Sequence, residues 1–304
     1  MKTRRIFIKT AGVAAAGMAL IPGCAPSAKK EETIAEEIVS EVAMVNKDIG
    51  LQIYTVRNQI DQDLEATMKS VAEIGYNQVE IFGYDNGQYF GISAEDFYEL
   101  LSKYGLSPVS SHHGTGLTQP EAIGTLTNGW QQAVDHAAMA GQKYMVMPYL
   151  QESERSIEHY RALPEMLNKA GEAVKAAGMQ LCYHNHDFEF VEMEGMLPMY
   201  HILDYTDPDL VKMELDLYWI TKAGFDPLAF FEKYPGRTPL WHVKDMADTT
   251  ERGFAEVGNG IIDFETIFAN KDKSGMTHFF VEQDQSDDPL KSIGISYKNV
   301  SDLV

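Results

Sequence analysis

Ionisable side chains recur two residues apart within otherwise apolar runs: His184-Asn185-His186, Glu214-Leu215-Asp216, His242-Val243-Lys244-Asp245 and Glu282-Gln283-Asp284. Residues two apart on an extended strand share a face. A strand that turns Asp216 inward therefore turns Glu214 inward, and the same holds for His242 with Lys244, His184 with His186 and Glu282 with Asp284. Four successive strands would then aim carboxylates and imidazoles at one volume. Burying so many ionisable groups is costly unless a charge compensates them. A divalent cation does so, and mixed carboxylate and imidazole donors suit Mn, Fe, Co, Ni or Zn better than Ca. Two further candidate strands bear on the same question: one carries Glu80, and another runs into the pair His112-His113.

The elements that must position these groups can be read from periodicity. Short β-branched runs at Gly50–Val56, Gln78–Phe82, Ser107–Ser111, Tyr144–Pro148, Gln180–His184, Lys212–Leu217, Leu240–Lys244 and His278–Glu282 predict eight strands. Helical patterns lie between them at Asp63–Ile74, Ser93–Tyr104, Asn128–Ala140, Ser156–Ala177 and Asp226–Tyr234, and the first four run into a glycine. Eight β-α units in 304 residues predict one α/β domain, a (β/α)8 TIM barrel. The competing open sheet for nucleotides would carry a glycine-rich loop after its first strand, whereas this one ends Tyr54-Thr55-Val56-Arg57. In a barrel, the C-terminal strand ends hold the active site, and the ionisable clusters stand there.

These strand ends, in this order, resemble the xylose isomerase-like TIM-barrel superfamily, the sugar phosphate isomerases/epimerases. Gly50-Leu51-Gln52-Ile53-Tyr54-Thr55-Val56-Arg57 is similar to its first strand, and Val257-Gly258-Asn259-Gly260-Ile261-Ile262-Asp263-Phe264 to its glycine-rich loop between strands 7 and 8. The resemblance runs from about residue 48 to residue 303. It implies one divalent metal ion (Mn, Co, Fe, Ni, Zn or Mg) held by His184, Asp216, His242 and Glu282. His184 stands where sugar epimerases of the family usually carry a glutamate, and Trp219 where a histidine is usual. The histidine-rich strand 5 and the His-x-Lys-Asp of strand 7 look more like the inosose dehydratase branch and its relatives acting on 3-keto sugars.

The expected chemistry is proton transfer. A cation bound to a carbonyl and its neighbouring hydroxyl acidifies the C–H between them by stabilising the enediolate, and a base removes the proton. Its return to the other face epimerises, its return to the next carbon isomerises, and loss of a β-substituent is a lyase reaction. Glu282, His184 and one of the His112-His113 pair, taken as His113, are the expected acid/base groups, with His184 either ligand or base. His186 and Lys244 are expected to contact substrate, Lys244 alternatively pairing with an acidic neighbour such as Glu214. Tyr54 and Trp219 are expected as an apolar wall against a sugar ring, and Glu80 as a substrate contact, second-layer partner or salt-bridge residue. Glu214 reads equally as structural or functional. Cys182 reads as core, and His136, His159 and His201 as surface or packing residues.

The first 23 residues hold four basic groups, Lys2, Arg4, Arg5 and Lys9, and no acidic one. Arg4-Arg5 before Phe7 and Lys9, then the apolar run Thr10 to Ile21, resemble a twin-arginine export signal. Ile21-Pro22-Gly23-Cys24 resembles a lipobox, making Cys24 a candidate lipidated first residue of a periplasmic protein, with residues 24–47 as a flexible tether. The barrel is then expected over residues 48–304. With only Cys24 and Cys182, there is no disulfide framework.

Net charge is −20, and removing the leader would leave 21 basic residues against 45 acidic ones. Such a surface repels nucleic acid and anionic lipid. It argues against a DNA-repair endonuclease of the same fold and leaves a lipid at Cys24 as the expected link to a membrane. The expected partner is a small sugar; export favours one without phosphate, and a homo-oligomer is compatible. A non-catalytic carbohydrate-binding lipoprotein is the competing class, and metal content discriminates it.

Overall fold

The computed structural model describes residues 47–304. The expected leader, Cys24 and all of the tether but Lys47 lie outside the described residues.

Eight strands close into a parallel barrel: β1 (Gly50–Gln52), β2 (Gln78–Ile81), β3 (Ser107–His112), β4 (Tyr144–Met147), β5 (Gln180–His184), β6 (Val211–Asp216), β7 (Leu240–Val243) and β8 (His278–Val281). Each pairs with the next in sequence, and β1 pairs with both β2 and β8. The predicted TIM barrel is therefore the fold.

The helices start where polar side chains satisfy the first free amides. Asp63 accepts from Ala66 N, Ser93 from Asp96 N, Ser156 from His159 N and Asp226 from Leu228 N. Each such cap stabilises by about 1 kcal/mol. The chain leaves two of these helices through Gly105 and Gly178, at φ +72° and +82°, a conformation that side chains disfavour.

The two faces of each strand divide the labour. Leu181, Tyr183, Met213, Leu215, Trp241, Val243, Phe279 and Val281 join the main core beneath the helices. Cys182, Leu240 and Phe280 form a second, smaller cluster with Val109 and Val146. Each of those three lies two residues before an ionisable strand-end group (His184, His242, Glu282), so the cluster fills the barrel below the polar layer. Cys182 is a plain core residue, as expected.

The first strand is shorter than predicted. After Gln52 the chain turns into a 3-10 helix, Ile53–Val56, because the Gln52 side chain caps it by accepting from Tyr54 N at 3.0 Å. Also unanticipated are an antiparallel ribbon (Tyr84–Asp85, Gln88–Tyr89, Ile92–Ser93) and helices at Pro198–Tyr205, Leu217–Lys222, Phe264–Ala269, Lys271–Ser274 and Pro289–Ser301. The glycine-rich loop after β7 folds around a buried anion. The Asp245 carboxylate accepts from the amides of Met246 (2.7 Å), Gly258 (2.9 Å), Gly260 (2.9 Å) and Ile262 (3.2 Å). Four amides on one carboxylate satisfy it without a counter-ion.

Candidate metal centre

Strands β5 to β8 bring His184, Asp216, His242 and Glu282 together at their C-terminal ends. Asp216 and His242 are register partners. His184 Nε2 lies 3.6 Å from Asp216 Oδ2; His242 Nδ1 lies 4.0 Å from Asp216 Oδ2 and 2.6 Å from Glu282 Oε2. Donors held at about 2.1 Å around one tetrahedral ion sit about 3.4 Å apart, which these separations bracket.

The hydrogen-bond inventory shows how each donor is left free. Asp216 Oδ1 is spent on the helix that follows β6, accepting from Tyr218 N and Trp219 N, both at 2.9 Å. Asn185 fixes the same turn by accepting from Asp216 N at 3.0 Å. Only Oδ2 remains to face the centre. Asp216 Oδ2, His242 Nδ1 and Glu282 Oε2 are all buried without a hydrogen-bond partner. His184, Asp216 and His242 offer ligand atoms within 4.8 Å of one another, with Glu282 Oε2 beside His242, and such unpartnered buried donors fit a divalent ion because buried polar atoms are otherwise paired.

Lys244 occupies the charge-balancing position. Its Nζ lies 3.0 Å from Asp216 Oδ2, 2.8 Å from Glu282 Oε2 and 3.0 Å from Asp284 Oδ1. Only the contact with Asp284 is aligned as a hydrogen bond. The ammonium thus supplies charge without satisfying the directional needs of Asp216 and Glu282. Its partners are these three carboxylates and not Glu214.

The electrostatics follow from burial and these neighbours. Burial and the surrounding cationic groups hold His184 and His186 well below the usual imidazole range, so both are neutral. Burial opposes ionisation of Glu282, but Lys244 and His242 hold it well below the usual carboxylate range. Burial raises Asp216, and pushes Asp284 up to about 6. His242 is also disfavoured as a cation by burial, yet Glu214, Glu282 and Glu80 raise it well above its ordinary value.

A cavity of about 720 Å³ opens onto this cluster. His112, His184, His186, Lys244, Glu282 and Asp284 line its inner part, and the exposed rings of Tyr54 and Tyr149 reach it from other loops. His186 is clamped among Phe188 (stacked, 5.4 Å), Tyr149 (5.0 Å) and Trp219 (5.2 Å), with a buried, unpartnered Nδ1. Its backbone amide is held by Glu189, which also accepts from Tyr183.

Three expectations change. Trp219 does not line the cavity; it stands behind His186, 5.9 Å from Lys244 Nζ. Glu80 is wholly buried and lines no cavity, so it is a network residue and not a substrate contact. Of the histidine pair, His112 joins the cluster, 2.8 Å from Glu80 and 3.4 Å from Glu214. His113 reaches the cavity wall, but its Nδ1 engages Gly124 O and its Nε2 the Ser111 hydroxyl, both at 2.9 Å. The β3 strand continues through His112, which therefore takes the inward face. Gln52, Asn185 and Glu189 were not singled out; the first two lie at polar positions of strand ends, a signal that could have found them.

A candidate metal site at the C-terminal mouth of a closed parallel barrel defines a class that sequence comparison then specifies. The profile of the xylose isomerase-like TIM barrel family matches residues 68–294, and the chain belongs to that family. It is similar to the inosose dehydratase of Geobacillus kaustophilus, 24% identical over 281 residues covering 81% of this chain and 87% of that one. Among solved structures, a sugar phosphate isomerase/epimerase from Parabacteroides distasonis superposes with TM-score 0.73 at 29% identity, covering 84% of this chain and 94% of that one. The IOLI protein with a binding zinc atom shares the fold at TM-score 0.66 and 15% identity, covering 85% and 98% of the two chains.

Proposed function

We propose that this protein is a divalent-metal-dependent enzyme that removes a proton next to a carbonyl of a small sugar, as an isomerase or epimerase. The observation that carries this reading is that Asp216 Oδ2, His242 Nδ1 and Glu282 Oε2 are buried and unpartnered beside His184, which together with Glu282 lines the inner end of the cavity. His184 completes the donor set. The ion, when bound, supplies Lewis-acid polarisation of a substrate carbonyl and its neighbouring hydroxyl.

The chain's own groups supply the rest. Glu282 lines the cavity as an ionised carboxylate and is placed to accept the proton. The neutral His186, held edge and face by aromatic rings, offers an acid/base or hydrogen-bonding group elsewhere on the wall. Lys244 and Asp284 are placed to bind substrate hydroxyls. Tyr54 and Tyr149 flank the cavity as surfaces for the apolar faces of a sugar ring.

A second reading, a lyase acting on keto sugars or 3-keto glycosides, is favoured by one feature. The strand-5 position carries the imidazole of His184, so the carboxylates at the inner end of the cavity come from one side, Glu282 and Asp284. The similarity to inosose dehydratases supports the same reading.

The test is metal analysis combined with solvent exchange. The purified protein is assayed for bound metals, then incubated in D₂O with free sugars, keto sugars and 3-keto glycosides and followed by NMR. Deuterium entering a carbon beside a carbonyl, lost in Asp216→Asn and Glu282→Gln, is the expected result, and the products separate isomerase from lyase. A folded protein that takes up no metal and exchanges no proton would instead be a carbohydrate-binding protein. Export as a periplasmic lipoprotein is proposed from the first 24 residues alone; fractionation and labelled-lipid incorporation, abolished by Cys24→Ala, test it.

A further inference from the structure

Each imidazole of the centre has a second nitrogen, and both second nitrogens lead to one carboxylate. Glu214 is the register partner of His184 across β5 and β6. Its Oε2 lies 3.1 Å from His184 Nδ1 and 3.1 Å from His242 Nε2. Glu214 is wholly buried and does not line the cavity.

A neutral imidazole carries one proton, so the partner of one nitrogen decides what the other presents. With Nδ1–H of His184 donating to Glu214, its Nε2 lone pair faces Asp216. With Nε2–H of His242 donating to Glu80 Oε1 (2.5 Å) and toward Glu214, the neutral ring would keep its Nδ1 lone pair, on the side of Glu282, for a cation. The two rings use opposite nitrogens, and Glu214 is within reach of both. Carboxylates that orient metal-bound histidines in this way raise ligand basicity and fix the ring.

We propose that Glu214 is the positioning residue of the metal centre: through one oxygen it sets the tautomer and orientation of both His184 and His242, and so the affinity for the cation, without touching substrate. This rests on the metal-dependent reading above. The neighbouring groups supply the charge balance it requires. His112 sits between Glu80 and Glu214 at 2.8 and 3.4 Å, and Glu80 is held further by Gln52 Nε2 (2.8 Å) and Ser110 Oγ (2.5 Å). The arrangement also accounts for histidine at position 184. A carboxylate there would set a like charge against Glu214 on the adjacent strand, whereas an imidazole accepts Glu214 as a partner.

The experiment compares the full protein with Glu214→Gln and, as a control, Glu189→Gln, which replaces another wholly buried carboxylate, in the 3-10 turn Phe188–Phe190 after β5. Each is stripped with a chelator and titrated with Co²⁺ against a chelating dye, with the cobalt absorption spectrum and the metal-free melting temperature recorded. Glu214→Gln should bind Co²⁺ about 10–100-fold more weakly, with an altered spectrum, while Glu189→Gln binds as wild type. A folded Glu214→Gln that binds Co²⁺ as tightly as wild type, with the same spectrum, overturns the proposal. If the amide variant does not fold, Glu214→Asp keeps the charge but withdraws the oxygen: weakened binding supports the proposal, unchanged binding overturns it. Wild type that binds no Co²⁺ would refute the metal reading itself, a separate result from the failure of Glu214.

Discussion

Lys244 Nζ lies 3.0 Å from Asp216 Oδ2, yet no hydrogen bond aligns between them. The ammonium neutralises the carboxylate cage without matching its geometry, so Lys244 supplies charge that a bound divalent ion would also supply. Lys244→Met leaves Asp216, Glu282 and Asp284 without their cation. Uncompensated buried charge costs about 3–5 kcal/mol. Urea denaturation in chelator should show a loss of that order. Added Mn²⁺ or Zn²⁺ should then stabilise the variant more than wild type, and an equal response of the two would show that lysine and ion do not share a place.

Loading the centre should release a proton. Despite its burial, His242 is raised well above its ordinary value by Glu214, Glu282 and Glu80, so at neutral pH the metal-free ring holds protons on both nitrogens. Binding a cation at Nδ1 must expel one, and affinity should therefore rise with pH while the metal-free ring stays protonated. Calorimetric titration in buffers of different ionisation heat checks this. At free metal 100 times Kd, stability should rise by about 2.7 kcal/mol, lost on adding chelator.

The loop over β7 should not tolerate a side chain at Gly260. A Cβ there would lie 2.3 Å from Asp245 Oδ1 and 2.3 Å from the Met246 carbonyl oxygen. Both atoms are pinned, Asp245 by four amides. Gly260→Ala should cost about 1–3 kcal/mol in chemical denaturation. Gly253→Ala, where nothing lies within 4 Å of the added carbon, should cost far less.

Glu189 should make stability fall as pH rises. Burial pushes its carboxyl up to about 7 from the ordinary 4.5, with Tyr183 and the His186 amide only partly opposing the shift. The folded state therefore binds its proton more tightly than the unfolded chain. The stabilisation is fully present below the unfolded pKa and is lost as pH rises through about 7. The stability difference between wild type and Glu189→Gln should shift in favour of wild type from pH 8 to pH 5, by at most about 3 kcal/mol. A difference that stays constant over that range would mean Glu189 is ionised in the folded protein.

Much of the site was legible because strand geometry is periodic. Once Asp216 is placed inward, Glu214 follows, and the same step pairs His242 with Lys244. Parity could not place residues where strands end or irregularities intervene. The β2–β3 register shifts between Val79 and Glu80, and His112, not His113, joins the cluster. Trp219 is expected on the wall facing the sugar, but Asp216 caps a helix starting at Leu217, and the ring packs against His186 away from the cavity.

The sequence by itself determined the order of strands and helices, their caps and the residue types available for a metal, since these depend on neighbours a few positions apart. The tertiary structure alone decided that Glu214 serves two imidazoles and that Lys244 is caged by carboxylates from two strands. It also decided which oxygen of Asp216 is left free. Those facts depend on distances between strands far apart in the chain, which barrel closure fixes and no local pattern encodes.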